Sequence, residues 1–576
     1  MTTLLSKRAL SAGLGVGGLA LLAQRASADT PLTSFAFPVT GGTTARTLPD
    51  RLAEVRSVKD FGAVGDGSHD DSDAIQAAID WTVEGDRGIV YFPIGRYKIT
   101  RPISLENGSG ELNQGGIHEQ VQLIGAGSNG SRFSGAVIEG NFPDYLFKRA
   151  SGKQSVSMRV FDGLTLRNFN TAGGAIYLNG AMHSLVRNCF IQAHRGVISE
   201  TMNAPNIVEN CSFNWSNQAA DGSIGVMLAG TGGTCIGTDI VGYDNAIRIM
   251  GPGNVVLGCR MEVNNIAINI GTDQNGSVYG ASGFQITSCS FEANACAIYC
   301  NGATGGLVSG LLIQGTTGAT KGISQYAVYM HGCTFTSFIG LMAAAGFVGG
   351  AIVQDPNGLA ADVNFTNCSP AAHLSTDGLT SPATPQIVNI YFGNTGFTMP
   401  PWVVNGLTVT DASSGLIPAR TTITSHTETS ITLSAQVTGT MGNHTELILT
   451  NDRGIQVGAF VLPYPVGIDI SRSNNAFPIT VITANRSLDG SCFLDIELHS
   501  HSPITLTINN DASFGVYLPG LGATYRITQT GTGTASVVAG SATVSFTAGA
   551  NASAGQWGVL FLRKIGINHW VVWRGT

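Results

Sequence analysis

Between residues 185 and 300 the chain repeats a short apolar pulse followed by a polar corner. Four segments align without a gap: Cys189-Phe190-Ile191-Gln192, Thr238-Asp239-Ile240-Val241, Cys259-Arg260-Met261-Glu262 and Cys289-Ser290-Phe291-Glu292. The alignment continues into a second pulse, Val197-Ile198, Ala246-Ile247, Ala267-Ile268 and Ala297-Ile298. A fifth copy, Cys211-Ser212-Phe213-Asn214, carries an insertion over 216–223. Alternating apolar positions, β-branched residues and Asn or Gly corners predict strands rather than helices. A period of roughly 20–30 residues is that of a stacked solenoid, each coil burying its apolar side on its neighbours. The expected fold is all-β, a parallel β-helix over residues 57–370, with looser coils after residue 302.

Upstream lies Val58-Lys59-Asp60-Phe61-Gly62-Ala63-Val64-Gly65-Asp66-Gly67, then Asp70-Asp71-Ser72-Asp73-Ala74-Ile75-Gln76-Ala77-Ala78-Ile79-Asp80, then Gly88-Ile89-Val90-Tyr91-Phe92-Pro93-Ile94-Gly95-Arg96-Tyr97. This predicts strand, glycine corner, helix, strand and turn. Asp71 or Ser72 can cap the helix, and Ala74, Ile75, Ala78 and Ile79 form its apolar stripe. The segment resembles the N-terminal signature of the pectate-lyase-like β-helix superfamily, the branch of rhamnogalacturonase-type and epimerase-like enzymes and many phage tailspikes. The resemblance implies a right-handed β-helix plugged by the short helix, and action on an extracellular or cell-surface polysaccharide. It also admits a homotrimer, since tailspike-like relatives trimerise. Asp66, Asp70, Asp71 and Asp73 invite a calcium reading, but turn formation and helix capping account for them without an ion.

Gly125-Ala126-Gly127-Ser128-Asn129-Gly130 fits a dinucleotide pattern, yet strand-like residues 132–138 follow where a helix is required, so it reads as a corner between coils. Residues 371–401, with Ser381-Pro382-Ala383-Thr384-Pro385, read as a linker or crossover. Residues 402–452 alternate Thr/Ser with apolar residues, as in a small antiparallel β-module. Residues 453–576 read as a C-terminal β-domain. Its segments Ile504-Thr505-Leu506-Thr507-Ile508 and Leu562-Arg563-Lys564-Ile565-Gly566-Ile567-Asn568-His569-Trp570 resemble a module recurrent in phage tail proteins. That resemblance implies a β-sandwich used in assembly or attachment.

At the N-terminus, Lys7-Arg8 precede an apolar run over 9–23, and Ala26-Ser27-Ala28 offers a cleavage site, so residues 1–28 read as a signal peptide and 29–56 as an extended leader. The run is too short and glycine-rich for a membrane span. Cleavage would remove Lys7, Arg8 and Arg25 and no acids, taking the formal charge from -7 to -10. A mature chain of that sign has no electrostatic case for nucleic acid or an anionic bilayer. Export permits disulfides, but Cys189, Cys211, Cys259 and Cys289 share one repeat position and read as a buried ladder of thiols, with Cys333 and Cys368 in similar contexts.

If the cysteines point inward, two columns point out. One holds Phe190, Asp239, Arg260 and Ser290; the other holds Gln192, Val241, Glu262 and Glu292. At about 4.8 Å between coils, Asp239 and Arg260 can pair, and Glu262 and Glu292 are like-charged neighbours that raise one another's pKa. A third column past the corner holds Arg195, Asp244 and Asn265, with His194 and Asn264 beside it and Arg248 on the next strand. In a hydrolase reading, Glu262 and Glu292 (or Asp239) are acid and base, while Arg260 and Arg248 hold an acidic sugar. In a lyase reading, Arg260 or Arg248 takes the proton, with calcium held by Asp239, Glu262 and Glu292. A third reading is surface dressing of stacked polar residues, with Asn264 and Asn294 as an asparagine ladder, and the whole protein is then a non-catalytic glycan-binding adhesin. Trp215, Tyr243 and Tyr299 are the outward aromatic candidates for sugar stacking, Trp215 beside the insertion. No other cofactor is expected.

Overall fold

The computed structural model describes residues 36–575, apart from 107–120, 128–134, 150–157, 216–221, 272–279, 316–324, 355–362, 379–385, 392–398, 451–459, 462–467, 473–478, 489–494, 514–523 and shorter stretches. The expected signal peptide, Trp402 and the 381–385 segment lie outside the described residues.

Each full coil contributes three strands, for example Thr234–Ile236, Asp239–Val241 and Asn245–Ile249. Stacked coil on coil, they form three long parallel sheets, sheets 1, 2 and 3 in that order, of 13, 12 and 11 strands. The fold is a right-handed parallel β-helix. Its single core runs from Val58 to Cys368.

The coil closes because the chain turns from sheet 1 to sheet 2 through one residue of positive φ. These residues are Asn188 (52°), Asn210 (50°), Gly237 (55°), Gly258 (62°), Ser288 (55°), Gly310 (61°) and Gly340 (63°). Asn and Gly dominate because a larger side chain strains this left-handed conformation. Each donates its amide to the next coil, as Gly258 does to the Thr287 carbonyl at 3.0 Å. The following residue points inward, so Cys189, Cys211, Thr238, Cys259, Cys289, Leu311, Leu341 and Cys368 form one buried column. Nine described cysteines are free thiols, and among them Cys259 Sγ lies 3.8 Å from Cys235 Sγ. Cys333 sits elsewhere, on the corner next to Ala303, where Thr304 bridges Thr334.

The N-terminal end is plugged by helix α1 (Ser72–Gly85), with Ile75, Ala78 and Ile79 fully buried. Its aspartates build turns. Asp71 accepts the Val64 and Gly65 amides at 2.6 and 3.1 Å, while Asp70, rather than Asp71 or Ser72, supplies the capping oxygen to the Ser72 amide at 3.1 Å. Amide hydrogen bonds from His69 and Ser68 hold the Asp66 carboxyl down at about 2. Gly125 ends the strand Val121–Gly125 because a Cβ there would stand 2.3 Å from the Gly163 carbonyl oxygen of the next coil. A strand, Ala136–Gly140, follows.

The structure shifts several boundaries. In the leader, Ala36–Phe37 pairs antiparallel with Arg46–Thr47, and Val55–Ser57 already belongs to sheet 1. Within 371–401, Leu374–Ser375 and Gln386–Asn389 are strands of the small antiparallel module, paired with Glu446–Thr450 and Ser430–Leu433. Phe460–Val461 and Ile468–Arg472, placed by the sequence in the C-terminal domain, return to the β-helix and pair in parallel with Ile352–Gln354 and Val363–Thr366. The last full coil leaves open strand edges, and these returning strands cover two of them. The module with its own core from Leu374 to Leu449 is thus inserted into the end of the helix. Beyond it, strands from Ile479–Ile482 to Ala535–Ala539 alternate between two sheets that close on a core holding Tyr525 and Trp570.

Gly258 has open space where a side chain would begin, so replacing it tests backbone strain alone. Gly258→Val is expected to destabilise the protein by about 1–2 kcal/mol, and Gly258→Asn by clearly less. Urea unfolding of both variants checks this; equal losses would refute the left-handed corner.

Candidate functional site

The strands Asp239–Val241, Arg260–Glu262 and Ser290–Glu292 bury Ile240, Met261 and Phe291 and so turn their flanking residues out. Asp239 faces Arg260 across one rung, and Glu262 faces Glu292 across the next. Arg260 is the hub. Its Nη2 lies 2.6 Å from Glu262 Oε2 and 3.6 Å from Glu292 Oε2, and its Nη1 lies 3.5 Å from Asp239 Oδ1. Three carboxylates thus share one guanidinium on an open face. Burial raises the Asp239 carboxyl above the usual range, and the charge of Arg260 pulls against that rise.

A strained corner holds these strands in place. Val263 and Ala293, directly after the two glutamates, have φ of 56° and 55°. For a β-branched residue this conformation costs on the order of 1–3 kcal/mol. The corner compensates by sending Asn264 and Asn294 inward. Asn294 Oδ1 accepts from the Asn264 amide and Nδ2 at 2.9 Å each, Asn264 Oδ1 accepts from the Tyr243 amide at 2.9 Å, and Asn294 Nδ2 donates to the Met261 carbonyl at 2.9 Å. The expected asparagine ladder is therefore buried, beneath the charged column rather than on it.

The third column differs by one position. Arg195 pairs with Ile224, which pairs with Asn245, so His194, not Arg195, shares a column with Asp244 and Asn265. Val197-Ile198 accordingly lie over Ile247-Arg248, not Ala246-Ile247. The slip arises because the later corners carry one more left-handed residue, Gly242, Val263 or Ala293. Asp244 accepts from Asn265 Nδ2 at 2.8 Å and from Asn245 Nδ2 at 3.2 Å. Arg195 is exposed and reaches the Tyr145 hydroxyl, and Arg248 is half-buried on the outer side of sheet 3.

Two aromatic expectations fail. Tyr243 is buried in the core, its hydroxyl donating to the Ala193 carbonyl at 3.1 Å. Trp215 is also buried, its ring 5.6 Å from that of buried His194 in an edge-on pair. Tyr243 follows the left-handed Gly242, which turns it inward, and neither ring offers a face to sugar. Tyr299 is half-buried and stacks on Tyr329 at 5.5 Å and 3°.

Sequence comparison of coils missed a second charged group on sheet 2, Arg96, Glu139 and Arg167. Arg96 Nη2 lies 2.7 Å from Glu139 Oε2, and Arg167 Nη1 lies 2.8 Å from Glu139 Oε1. Its signal was present in the alternation of Gly95-Arg96-Tyr97-Lys98 and Leu164-Thr165-Leu166-Arg167, but long inserts between those strands hide the period. Calcium fits neither group. The carboxylates of the first are turned onto Arg260, and among the described residues no three of His, Cys, Asp and Glu are placed to hold a metal ion.

Residues 55–291 of the β-helix match the family described as rhamnogalacturonase A/epimerase, pectate lyase-like. Alginate lyase 7 of Azotobacter vinelandii is 45% identical over 73 residues, 12% of this chain, and the chain spans only 8% of that relative's length. Among solved structures, the A-module of Azotobacter vinelandii mannuronan C-5 epimerase AlgE6 covers 54% of this chain and 80% of its own, at 18% identity and a TM-score of 0.40. The tailspike of E. coli bacteriophage HK620, solved with a pentasaccharide, covers 74% of this chain and 98% of its own, at 15% identity and a TM-score of 0.37. Among the described residues no helix is long and apolar enough to cross a membrane.

Removing the hub should release Asp239 from the one charge that lowers its pKa. In Arg260→Gln the Asp239 carboxyl is expected to titrate at higher pH than in the parent protein, read by carbon-13 NMR of the side-chain carboxyl. An unchanged titration would mean that the ion pair does not form in solution.

Proposed function

We propose that the protein hydrolyses glycosidic bonds of an extracellular or cell-surface polysaccharide on the outer face of sheet 2. The observation that carries this is the unlike setting of Asp239 and Glu292, two rungs apart with the strand of Arg260 between them. Asp239, in which burial favours the protonated form, is the proton donor to the leaving-group oxygen. Glu292 is 52% exposed and 3.6 Å from its nearest guanidinium nitrogen, and it activates the attacking water or attacks directly. Glu262 anchors Arg260, which keeps positive charge between the other two. A carboxyl whose burial favours the protonated form suits the acid, and the more exposed carboxylate is left as the base. The glycosidic C–O bond breaks as its oxygen takes the Asp239 proton; water supplies hydroxide to the anomeric carbon and its proton to Glu292.

Hydrolysis is better supported than elimination. A lyase would need Arg260 to give up its proton first, leaving three carboxylates facing one another without a counter-charge. The pectate-lyase-like fold and the name of the relative alginate lyase 7 support the substrate class. Export through residues 1–28 and attachment through the C-terminal module belong to the same proposal, supported by the basic-then-apolar N-terminus and by the tail-like sequence of residues 504–570.

Incubation with a panel of neutral and acidic polysaccharides should yield new reducing ends without ultraviolet-absorbing unsaturated sugars. Asp239→Asn and Glu292→Gln should each lower kcat by about 10²–10⁴-fold. Activity should fall as pH rises through the Asp239 pKa, because the ionised carboxyl has no proton to give. Unsaturated products, or full activity in both variants, would overturn the assignment; binding without cleavage would make the protein an adhesin.

A further inference from the structure

The first coils of sheet 2 present a different chemistry in the same two outward columns. Glu139 is buried and carries one guanidinium on each oxygen, Arg96 and Arg167. Arg167 is held further by Nε donating to Gln192 Oε1 at 3.1 Å, and its guanidinium lies 4.6 Å over the Phe169 ring. Beside this group opens a cleft of about 280 Å³, lined by Gly67, Lys98, Thr100, Glu139, Asn141 and Phe169 among others.

Two groups at the cleft stay open to solvent. Phe169, just past the strand Leu164–Asn168, is packed by the Arg167 guanidinium and still 47% exposed. Lys98 is exposed, and among the described residues its ammonium has neither a hydrogen bond nor an ion pair. The acids nearby are already taken. Glu139 is saturated by two arginines, Asp66 accepts the Ser68 and His69 amides at 2.8 Å each, and Asp70 accepts from the Ser72 and Thr100 hydroxyls. An open ammonium beside an exposed aromatic face and polar Thr100 and Asn141 suits a ring that is apolar on one side and anionic at its edge.

We infer that this cleft binds the anionic group of an acidic sugar, a uronate carboxylate or a sugar sulfate, in the glycan strand that crosses Asp239 and Glu292. The inference rests on the polysaccharide reading above and adds a specificity to it. From the strand Gly95–Lys98, which carries Lys98, to Asp239–Val241 the register steps through Arg96, Val137, Thr165, Phe190, Ser212 and Asp239, five rungs or about 24 Å. The charged sugar is therefore read a few sugars beyond the bond that is cut, not at it.

The test is calorimetric titration of the full chain carrying Asp239→Asn, with an oligouronate, a sulfated oligosaccharide and a neutral oligosaccharide of equal length. One or both anionic ligands should bind, the stronger identifying the anion. Added salt should weaken that binding, and Lys98→Gln or Phe169→Ala should weaken it by roughly tenfold, with the thermal melting of each variant unchanged. The neutral ligand should be insensitive to Lys98→Gln. Failure of every anionic ligand to bind, or unchanged affinity in a folded Lys98→Gln variant, would overturn the site. Anion binding together with no cleavage by the parent protein on any glycan would sink the hydrolase reading and leave this one standing.

Discussion

A parallel coil of this size closes by turning from sheet 1 to sheet 2 through one residue at the same place in every coil. The left-handed column from Asn188 to Gly340 does this. Its amides tie each corner to the coil that follows, so a corner cannot slide without breaking a rung. The column also sets side-chain parity. The residue after the corner goes inward, the next goes out, and this holds from Cys189 to Cys368. Thiols, Thr238 and leucines interchange in the inner position because each is small or apolar enough to fill it.

Fixed parity makes surface chemistry cumulative. Residues that share a column stand about 4.8 Å apart whether or not their charges agree. Glu262 and Glu292 are forced together by register, and Arg260, one column over, is what makes their proximity tolerable. The strained Val263 belongs to the same logic. Its unfavourable φ turns Asn264 into the core, where the amide ladder satisfies buried backbone groups that a relaxed corner would leave open. A strained backbone sits directly beside the charged cluster, where the two strands must be held to one geometry.

The fold and the first two outward columns were legible because parity needs only the αL corner and the apolar residue behind it, and both repeat in the sequence. What lay past the second corner was not. Gly242, Val263 and Ala293 add a residue to later corners, and nothing in the composition of Ala193-His194 announces that the earlier corner lacks it. One residue is enough to put His194 in place of Arg195 and to turn Tyr243 from a surface ring into a core ring. The insertion of a whole module before Phe460–Val461 was hidden for another reason. Strands of two or five residues carry too little periodicity to show that they return to a sheet left about a hundred residues earlier. Long inserts likewise concealed that Arg96 and Arg167 share columns with Asp239 and Glu262.

Taken along its length, sheet 2 is electrostatically divided. The cluster around Arg260 holds three carboxylates to one cation, whereas the cleft end offers Arg96, Arg167 and Lys98 to Glu139, with Asp66 and Asp70 bound up in turns. Exposed charges act over about a Debye length of 8 Å in physiological salt, and the five rungs between the strands Gly95–Lys98 and Asp239–Val241 exceed that distance. The two ends therefore act independently on whatever lies along the sheet. A change of charge at Lys98 leaves the field around Arg260 as it was, which is why the proposed anion site and the proposed hydrolytic site can be tested apart.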